Sequence, residues 1–382
     1  MTREQLLTGL LHVIVFMLGA GIGSFLNVVI YRLPLGISVN NPRRSFCPHC
    51  KKQIPFWRNI PIFSWLLLRG KCADCGAPIP FRYFFIELLT GVLFYLEFRV
   101  FGGQWEYLSA WGPMVLLCWI FTALLIAGTF IDFDHFILPH EITIGGWVVG
   151  LLGSFWVPEM VGETERGRGI LISFISSCIA LGLLWAVVEL GKLAFGRLKE
   201  VFEKPQSWSI SQPDEEKPPV FKCGETELPW ADIFTRASDR LLIKAPQLQV
   251  NDRNFTDASV EIKMTSMKVK SGAGEETFEL EKVTKLEGTA LEIVIPREAM
   301  GFGDVLLLAM IGAFLGWKAV LFVIVGASVL GTLCAVLPRL IGKTEWGARI
   351  PFGPYLACSA LIWLFYGTQI LDWYLERMHL RA

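Results

Sequence analysis

The sequence predicts an all-α polytopic membrane protein of about eight transmembrane helices, carrying two polar insertions. Three observations lead to this prediction. Hydrophobic residues make up 53% of the 382-residue chain and charged residues only 18%, which is typical of a membrane protein and unusual for a soluble globular one. The apolar residues gather in segments close to the ~20 residues that a spanning helix needs. The polar residues that remain are concentrated in two regions, 32–82 and 196–297.

Seven apolar segments have the length of a spanning helix, and an eighth is shorter. We expect the shorter one to end near Gly316 and Trp317, where the next helix begins. The first segment is too long for a cleaved signal peptide and lacks a small-residue cleavage site. The segments are 6–31, 83–101, 108–131, 136–157, 169–195, 303–317, 319–338 and 353–374.

The charge of the loops predicts the orientation of the chain. The loop 32–82 holds nine Lys and Arg residues against one acid, Asp74, whereas the loop 158–167 is rich in glutamate. Because short basic loops stay on the cytoplasmic side, the first loop is expected there and the N-terminus on the opposite side. Counting spans from that point places Asp132 and Asp304 at the same, cytoplasmic face.

Two matched Cys-x-x-Cys pairs lie in the first polar region. Each pair offers two thiolates to one ion, and together Cys47, Cys50, Cys72 and Cys75 complete a tetrahedral zinc site of the ribbon type. Two disulfides or a redox dithiol are the alternatives, and a cytoplasmic location disfavours disulfides. Four thiolates leave no open ligand position, so the predicted zinc is structural rather than hydrolytic.

The second polar region predicts a small cytoplasmic β-rich insert, 196–297. A connector rich in Lys, Glu and Pro is expected at 203–219. Beyond it, polar and apolar residues alternate with a period of two, which favours antiparallel strands. The alternation is found in 260–264, 278–280 and 291–295, with a turn at 271–274.

Two aspartates stand at the ends of apolar segments. Asp132 follows the run Trp111–Ile131, and Asp304 closes the tetrapeptide Gly301-Phe302-Gly303-Asp304. A carboxylate there is costly unless it faces a cavity, a partner or a substrate. Two adjacent carboxyl groups share one proton, so that one activates water and the other protonates a leaving nitrogen. Gly301 and Gly303 would allow a backbone or a substrate to approach closely, and the pair predicts an intramembrane aspartyl enzyme.

Simpler interpretations of these acids remain open. Either aspartate alone would serve as an interfacial anchor at a helix end. Asp134 is a competing candidate, expected to be a solvated turn residue that shapes the site. His135 and His140 would tune the site or cap the fourth span.

A set of motifs in this order resembles the type IV prepilin peptidases, which are leader peptidases and N-methyltransferases of type IV pili and type II secretion. The motifs cover most of the chain outside the insert. They are 23–34, the double Cys-x-x-Cys, Asn59-Ile60-Pro61, Ser64-Trp65, Arg82-Tyr83, Glu87-Leu88, 131–135 with Leu138-Pro139, 301–304, and 351–357.

The resemblance implies a protein of the bacterial inner membrane that cuts prepilins or pseudopilins at the cytoplasmic face. The cut follows a Gly that ends a short basic leader, ahead of the substrate's apolar helix. Asp132 and Asp304 would be the catalytic pair. The new N-terminal residue would then be methylated with S-adenosylmethionine as donor. Implied partners are the substrate, the lipid bilayer and components of pilus or secretion assembly; no nucleic acid is expected.

The chain departs from the family pattern at two positions and in the insert. His140 stands where Asp usually follows Leu-Pro, and Leu306 stands where the family usually has Lys. A peptidase without methyltransferase activity and a non-catalytic scaffold for pilin-like helices are the competing functions. The expected division is a first helix in 1–31, a zinc loop in 32–82, helices two to five in 83–195, the insert in 196–297 and helices six to eight in 298–382.

Overall fold

The structure is a computed structural model, and two compact units divide the chain. One unit combines Met1–Trp185 with Gly301–Ala382, and the other comprises Ala186–Met300. The structure describes residues 3–41, 45–47, 49–102, 108–195, 197–211, 219–224, 226–234, 239–272, 274–283, 285–296, 301–340 and 350–378.

Most of the described residues outside the insert are helical, as the composition predicts. Three short 3₁₀ helices lie in loops of the described part of the chain: Phe56–Arg58, Pro158–Val161 and, within the insert, Leu280–Lys282. The α-helices are α1 Arg3–Arg32, α2 Phe63–Leu67, α3 Phe81–Phe101, α4 Leu108–His135, α5 His140–Trp156, α6 Arg166–Phe195, α7 Trp230–Ile233, α8 Phe302–Leu340 and α9 Gly353–Arg377.

Five helices in the described part of the chain are long and apolar enough to cross a membrane: α1, α4, α6, α8 and α9. The helix α3 has 21 residues but includes Arg82, Glu87, Glu97 and Arg99, and α5 has only 17 residues. The helical, multi-pass architecture is therefore confirmed, whereas the count of eight spans stays a prediction. Within α8, Gly316 has φ 80° and ψ 173°, so the helix is kinked where the sequence predicts one span to end.

The long helices carry large apolar side chains on their outer surfaces. On α8, Val325, Val329 and Leu333 are exposed at a spacing of four residues, which places them on one face of the helix. A patch of this kind is unfavourable in water and favourable against lipid chains. The exposed faces therefore support a bilayer around this unit.

Glycines bring α1 and α3 into close contact. A methyl group on Gly19 would lie 2.8 Å from Cβ of Phe94, and one on Gly23 would lie 2.8 Å from Cα of Glu87. Small residues at a membrane-helix interface let two backbones approach and pack closely. The pair α1–α3 consequently forms a firm support for the loop that joins them.

The described residues of the insert form one antiparallel sheet of eight strands in the order β3-β2-β1-β8-β4-β5-β6-β7. Its core includes Trp208, Phe221, Ile243 and Met267, all nearly inaccessible to solvent. The strands are β1 Arg197–Ser211, β2 Val220–Cys223, β3 Thr226–Pro229, β4 Leu241–Val250, β5 Arg253–Ile262, β6 Ser266–Ser271, β7 Gly274–Glu279 and β8 Leu286–Pro296.

The predicted β-strands are confirmed, but the predicted connector is partly wrong. Ser271 pairs with Gly274 at the β6–β7 turn, as the sequence indicates. Residues 203–211, however, belong to β1. The pairing of β1 with β8 is irregular between Val201 and Gln206, and Pro205, which has no N–H to donate, falls inside that irregularity. The rest of the predicted connector, 212–218, lies outside the described residues.

Candidate active site and metal centre

Asp132 lies in the last turn of α4 and is only 5% exposed. Its Oδ2 atom accepts a hydrogen bond of 3.0 Å from the backbone N–H of Gly353. Gly353 is the first residue of α9, and the first N–H groups of a helix have no partner within the helix. The positive end of α9 therefore binds this carboxylate directly.

Asp304 lies in the first turn of α8 and is 7% exposed. Its backbone N–H donates to the carbonyl oxygen of Gly301 over 3.1 Å, which starts the helix immediately after the glycine. A carboxylate in the first turn also interacts favourably with the dipole of its own helix. Both aspartates thus lie beside helix N-termini, although they come from different segments.

The side chain of Leu138 connects the surroundings of the two aspartates. A methyl group on Gly303, the neighbour of Asp304, would lie 2.9 Å from Cβ of Leu138. One on Gly353 would lie 2.7 Å from Oδ2 of Asp132 and 3.5 Å from Cδ1 of Leu138. Gly303, the neighbour of Asp304, and Gly353, the partner of Asp132, therefore pack against the same buried leucine.

The backbone between α4 and α5 presents this leucine. Phe136 has φ 53°, and its N–H donates to the carbonyl oxygen of Asp132 over 2.9 Å. Pro139 then precedes the first residue of α5, and its ring excludes the helical conformation for Leu138. The predicted apolar span 136–157 is consequently shorter than expected, because its first four residues form this turn.

The neighbouring polar residues differ from the expectation. Asp134 belongs to α4 rather than to a solvated turn, and Nη1 of Arg82 contacts its Oδ1 at 2.7 Å and its Oδ2 at 2.5 Å. Its side chain is 32% exposed, so this ion pair lies at the surface and links α3 to α4. His135 and His140 are exposed, and Pro139 rather than a histidine occupies the N-cap of α5.

The motif 351–357 supplies a contact that sequence reasoning did not identify. In the sequence, the motif 351–357 contributed only to the family resemblance, and no physical role was predicted for it. The contact of Gly353 with Asp132 joins residues 221 positions apart. The sequence signal was a Gly between Phe352 and Pro354 at the start of an apolar run, since a helix N-terminus with no side chain can approach an anion closely.

The four predicted metal ligands come together in the first polar region. The Sγ atoms of Cys47, Cys50, Cys72 and Cys75 all lie within 4.8 Å of one another. All four are free thiols, so the alternative of two disulfides is wrong. Sγ of Cys47 is 3.8 Å from Sγ of Cys75, which matches the edge of about 3.8 Å in a tetrahedron with Zn–S bonds of about 2.3 Å.

Equivalent turns hold the two halves of this cluster. Lys51 donates its N–H to the carbonyl oxygen of Cys47, and Gly76 donates to that of Cys72, each over 2.9 Å. Lys51 and Gly76 both adopt positive φ, 59° and 71°. Each turn therefore directs two thiols toward the same point, and the donor set fits a tetrahedral thiophilic ion.

The protonation of the thiols reflects this crowding. The backbone N–H groups of Cys75 and Asp74 lower the pKa of Cys72 to about 7. At Cys75 the N–H of Ala77 acts to lower the pKa, but burial and the adjacent thiols outweigh it and raise the pKa to about 11. The cluster thus readily supplies one thiolate, and a bound cation would remove the repulsion that keeps the other protons in place.

The chain is similar to two described families and to curated proteins that share one name. The model of the bacterial peptidase A24 N-terminal domain matches residues 17–101, and that of the type IV leader peptidase family matches 284–336. A prepilin leader peptidase/N-methyltransferase of Neisseria gonorrhoeae is 38% identical over 208 residues, covering 47% of this chain and 67% of that protein.

Two further relatives carry the same name. The protein from Myxococcus xanthus is 44% identical over 187 residues, covering 49% of this chain and about half, 53%, of that protein. The protein from Aeromonas hydrophila is 28% identical over 389 residues, covering 95% of this chain and 93% of its own length. No solved structure shows significant similarity to the chain.

Proposed function

Because the chain belongs to the type IV prepilin peptidase family, we propose that it removes the leader of a prepilin or pseudopilin and methylates the new N-terminus. The observation that carries the peptidase half is the arrangement of Asp132 and Asp304. Both are buried, Asp132 accepts the first N–H of α9 while Asp304 lies in the first turn of α8, and the glycine beside each packs on Leu138. Hydrolysis of a peptide bond uses a general base that activates water and a general acid that protonates the leaving nitrogen, and two carboxyl groups can fill these roles.

We assign the general base to Asp132 and the general acid to Asp304. The Gly353 N–H stabilises the charged form of Asp132. This carboxylate takes a proton from a water molecule while the water oxygen attacks the carbonyl carbon of the peptide bond that is cut. Asp304 gives its proton to the amide nitrogen as the C–N bond breaks. Gly301, which carries no side chain, leaves space for the substrate beside Asp304, whereas Gly303 allows Leu138 to pack closely.

The methylation uses the amine that cleavage releases. S-adenosylmethionine is the donor in this proposal, and its sulfonium supplies an activated methyl group. The amine nitrogen, after losing a proton, forms the new N–C bond while the S–C bond breaks and its electron pair stays on sulfur. A neutral thioether leaves, so no oxidant or reductant is required.

The remaining assignments concern the membrane and the metal. We place the protein in the bacterial inner membrane with eight spans, counting α3, α5 and both parts of α8, and with loop 32–82 and insert 196–297 in the cytoplasm. The basic loop and the five apolar helices support this topology. Zinc on Cys47, Cys50, Cys72 and Cys75 would hold the loop in its folded form.

Substitution of each aspartate tests the peptidase assignment. Asp132→Asn and Asp304→Asn should each lower the rate of prepilin cleavage by about 10²- to 10⁴-fold, since each removes a general acid or base. Cleavage is followed by mass spectrometry of the substrate with enzyme in detergent. Asp134→Asn is the matched control, because its surface ion pair contributes ~1 kcal/mol or less, and it should cleave at nearly the wild-type rate.

Methylation of a substrate that is already cleaved separates the competing functions. The Asn variants should retain it, which shows that they are folded. Wild-type enzyme that releases only unmethylated product would support the peptidase-only alternative. Full cleavage by both Asn variants would refute the proposed pair, whereas purified wild type that does not cleave prepilin would support the scaffold interpretation.

A further inference from the structure

A cleft of about 220 Å³ lies among α1, α3 and the cysteine loop. The C-terminal part of α1 forms one wall and the first turns of α3 form another. The two cysteine turns and the segment around α2 complete it. Asp132 and Asp304 do not line this cleft, so the chemistry assigned to them leaves it without a role.

Two buried side chains of opposite charge line the cleft. Glu87 is 8% exposed, and its Oε2 atom accepts a 2.6 Å hydrogen bond from the N–H of Ile62. Arg32 is 5% exposed and donates through Nη1 to the carbonyl oxygens of Ser38 and Val39, at 3.3 and 3.1 Å. Burying a carboxylate and a guanidinium is costly, and a ligand that carries both charges would offset this cost.

The backbone beside Glu87 is strained. Ile62 adopts φ 67° and ψ −57°, a conformation that a β-branched residue rarely takes. The hydrogen bond of its N–H to Glu87 holds this conformation in place. Backbone strain of this kind concentrates at binding and catalytic sites, where the surrounding structure enforces it.

Aromatic rings form much of the remaining wall: Tyr31, Phe46, Trp65, Tyr83 and Phe84 line the cleft. The ring centroids of Trp65 and Phe84 are 5.1 Å apart, and Nε1 of Trp65 donates to the carbonyl oxygen of Ile79. These contacts hold Trp65 and Phe84 in position. Aromatic faces attract cations and stack on flat heterocycles.

Several motif residues without a role in cleavage meet in this cleft. Asn27 donates through Nδ2 to the carbonyl oxygen of Tyr83 over 3.2 Å, which connects α1 to α3 at the cleft wall. Asn59 and Ser64 line it as well, and the hydroxyl of Ser64 accepts the N–H of Ile60 over 2.9 Å. Motifs that are scattered over more than sixty residues of sequence thus form one site.

We propose that this cleft binds the methyl donor, a zwitterionic nucleoside sulfonium, with Glu87 facing the sulfonium and Arg32 facing the donor's carboxylate. The aromatic wall holds the flat base. This inference rests on the proposed methyltransferase function and adds its location. It also separates the two activities in the fold, because the cleft uses α1, α3 and their loop, whereas the aspartates use α4, α8 and α9.

Direct binding tests the location independently of turnover. S-adenosylmethionine and the neutral thioether S-adenosylhomocysteine are titrated by calorimetry into the full-length protein in detergent. Glu87→Gln should weaken binding of the sulfonium at least ~10-fold, since a charged partner is lost, and should weaken binding of the thioether less. Glu97→Gln is the matched control, because Glu97 is a buried carboxyl group on the same helix that does not line the cleft.

A second variant covers the case in which Glu87→Gln fails to fold. Ala73→Trp places a large ring into the cleft from an exposed loop position. It should abolish donor binding while bound zinc, measured by atomic absorption, stays at the wild-type level. Prepilin cleavage by the same preparations reports whether each variant is folded.

The outcomes distinguish the inference from the function on which it rests. If wild type binds the donor and methylates product, while folded Glu87→Gln and Ala73→Trp bind it equally well, the location is wrong. An equal loss of sulfonium and thioether binding in Glu87→Gln would overturn the role of Glu87 opposite the sulfonium. If wild type neither binds the donor nor methylates, the methyltransferase function itself fails, and the inference fails with it.

Discussion

The contact between Gly353 and Asp132 gives a sharp test of the proposed acid–base pair. In Gly353→Ala the added methyl group would lie 2.7 Å from Oδ2 and 3.3 Å from Cγ of Asp132. Side-chain carbons do not approach a carboxylate oxygen this closely, so Asp132 must turn away. The 3.0 Å hydrogen bond from the Gly353 N–H is then lost or distorted.

The size of the effect follows from the bond that is broken. A hydrogen bond to a charged group contributes about 1.5–3 kcal/mol. If this bond orients Asp132 in the transition state, its loss lowers kcat/KM for prepilin cleavage about 10- to 150-fold, at one factor of ten per 1.4 kcal/mol. The rate is measured with purified enzyme in detergent under single-turnover conditions.

A matched glycine substitution controls for the general effect of placing alanine in a helix. Gly145→Ala lies on α5, where an added methyl group meets nothing within 4 Å, and it should cleave at the wild-type rate. Methylation of a substrate that is already cleaved should be retained in both variants. Wild-type cleavage by folded Gly353→Ala would refute the reasoning that the α9 N-terminus orients Asp132.

Two further predictions concern the metal centre and the kink in α8. We expect one zinc ion to co-purify with wild type and to be lost in Cys72→Ser, because one of its four ligands is removed. The control Cys178→Ser, which replaces an exposed cysteine on α6, should keep the zinc. A stable wild type without metal would contradict the assignment. Gly316→Ala should lower the free energy of unfolding by about 1–3 kcal/mol, because φ 80° with ψ 173° suits glycine almost exclusively. Thermal unfolding in detergent measures the loss of stability. The control is Gly182→Ala, whose added methyl group would meet nothing within 4 Å. Equal midpoints for Gly316→Ala and wild type would argue against a rigid kink.

Local patterns were sufficient for the features that depend on neighbouring residues. The spacing of Cys47, Cys50, Cys72 and Cys75 predicts their cluster, because each Cys-x-x-Cys turn directs two thiols to one point and a short loop joins the turns. The alternation in 291–295 predicts β8 in the same way, since the period of side chains along a strand is fixed. The connector was misassigned because Lys, Glu and Pro are frequent in linkers, whereas the pairing of β1 with β8 overrides composition.

The sequence by itself determined the class of this protein and its candidate acids, because apolar length, charge bias and misplaced carboxylates are properties of single segments. Only the tertiary structure decided the surroundings of these residues. Gly353 reaches Asp132 across 221 positions, Leu138 packs against Gly303 and Gly353, and Glu87 and Arg32 share a cleft. These contacts depend on which helices pack together. The pattern of neighbouring residues does not determine that packing, because buried polar groups find their partners only when the whole chain is folded.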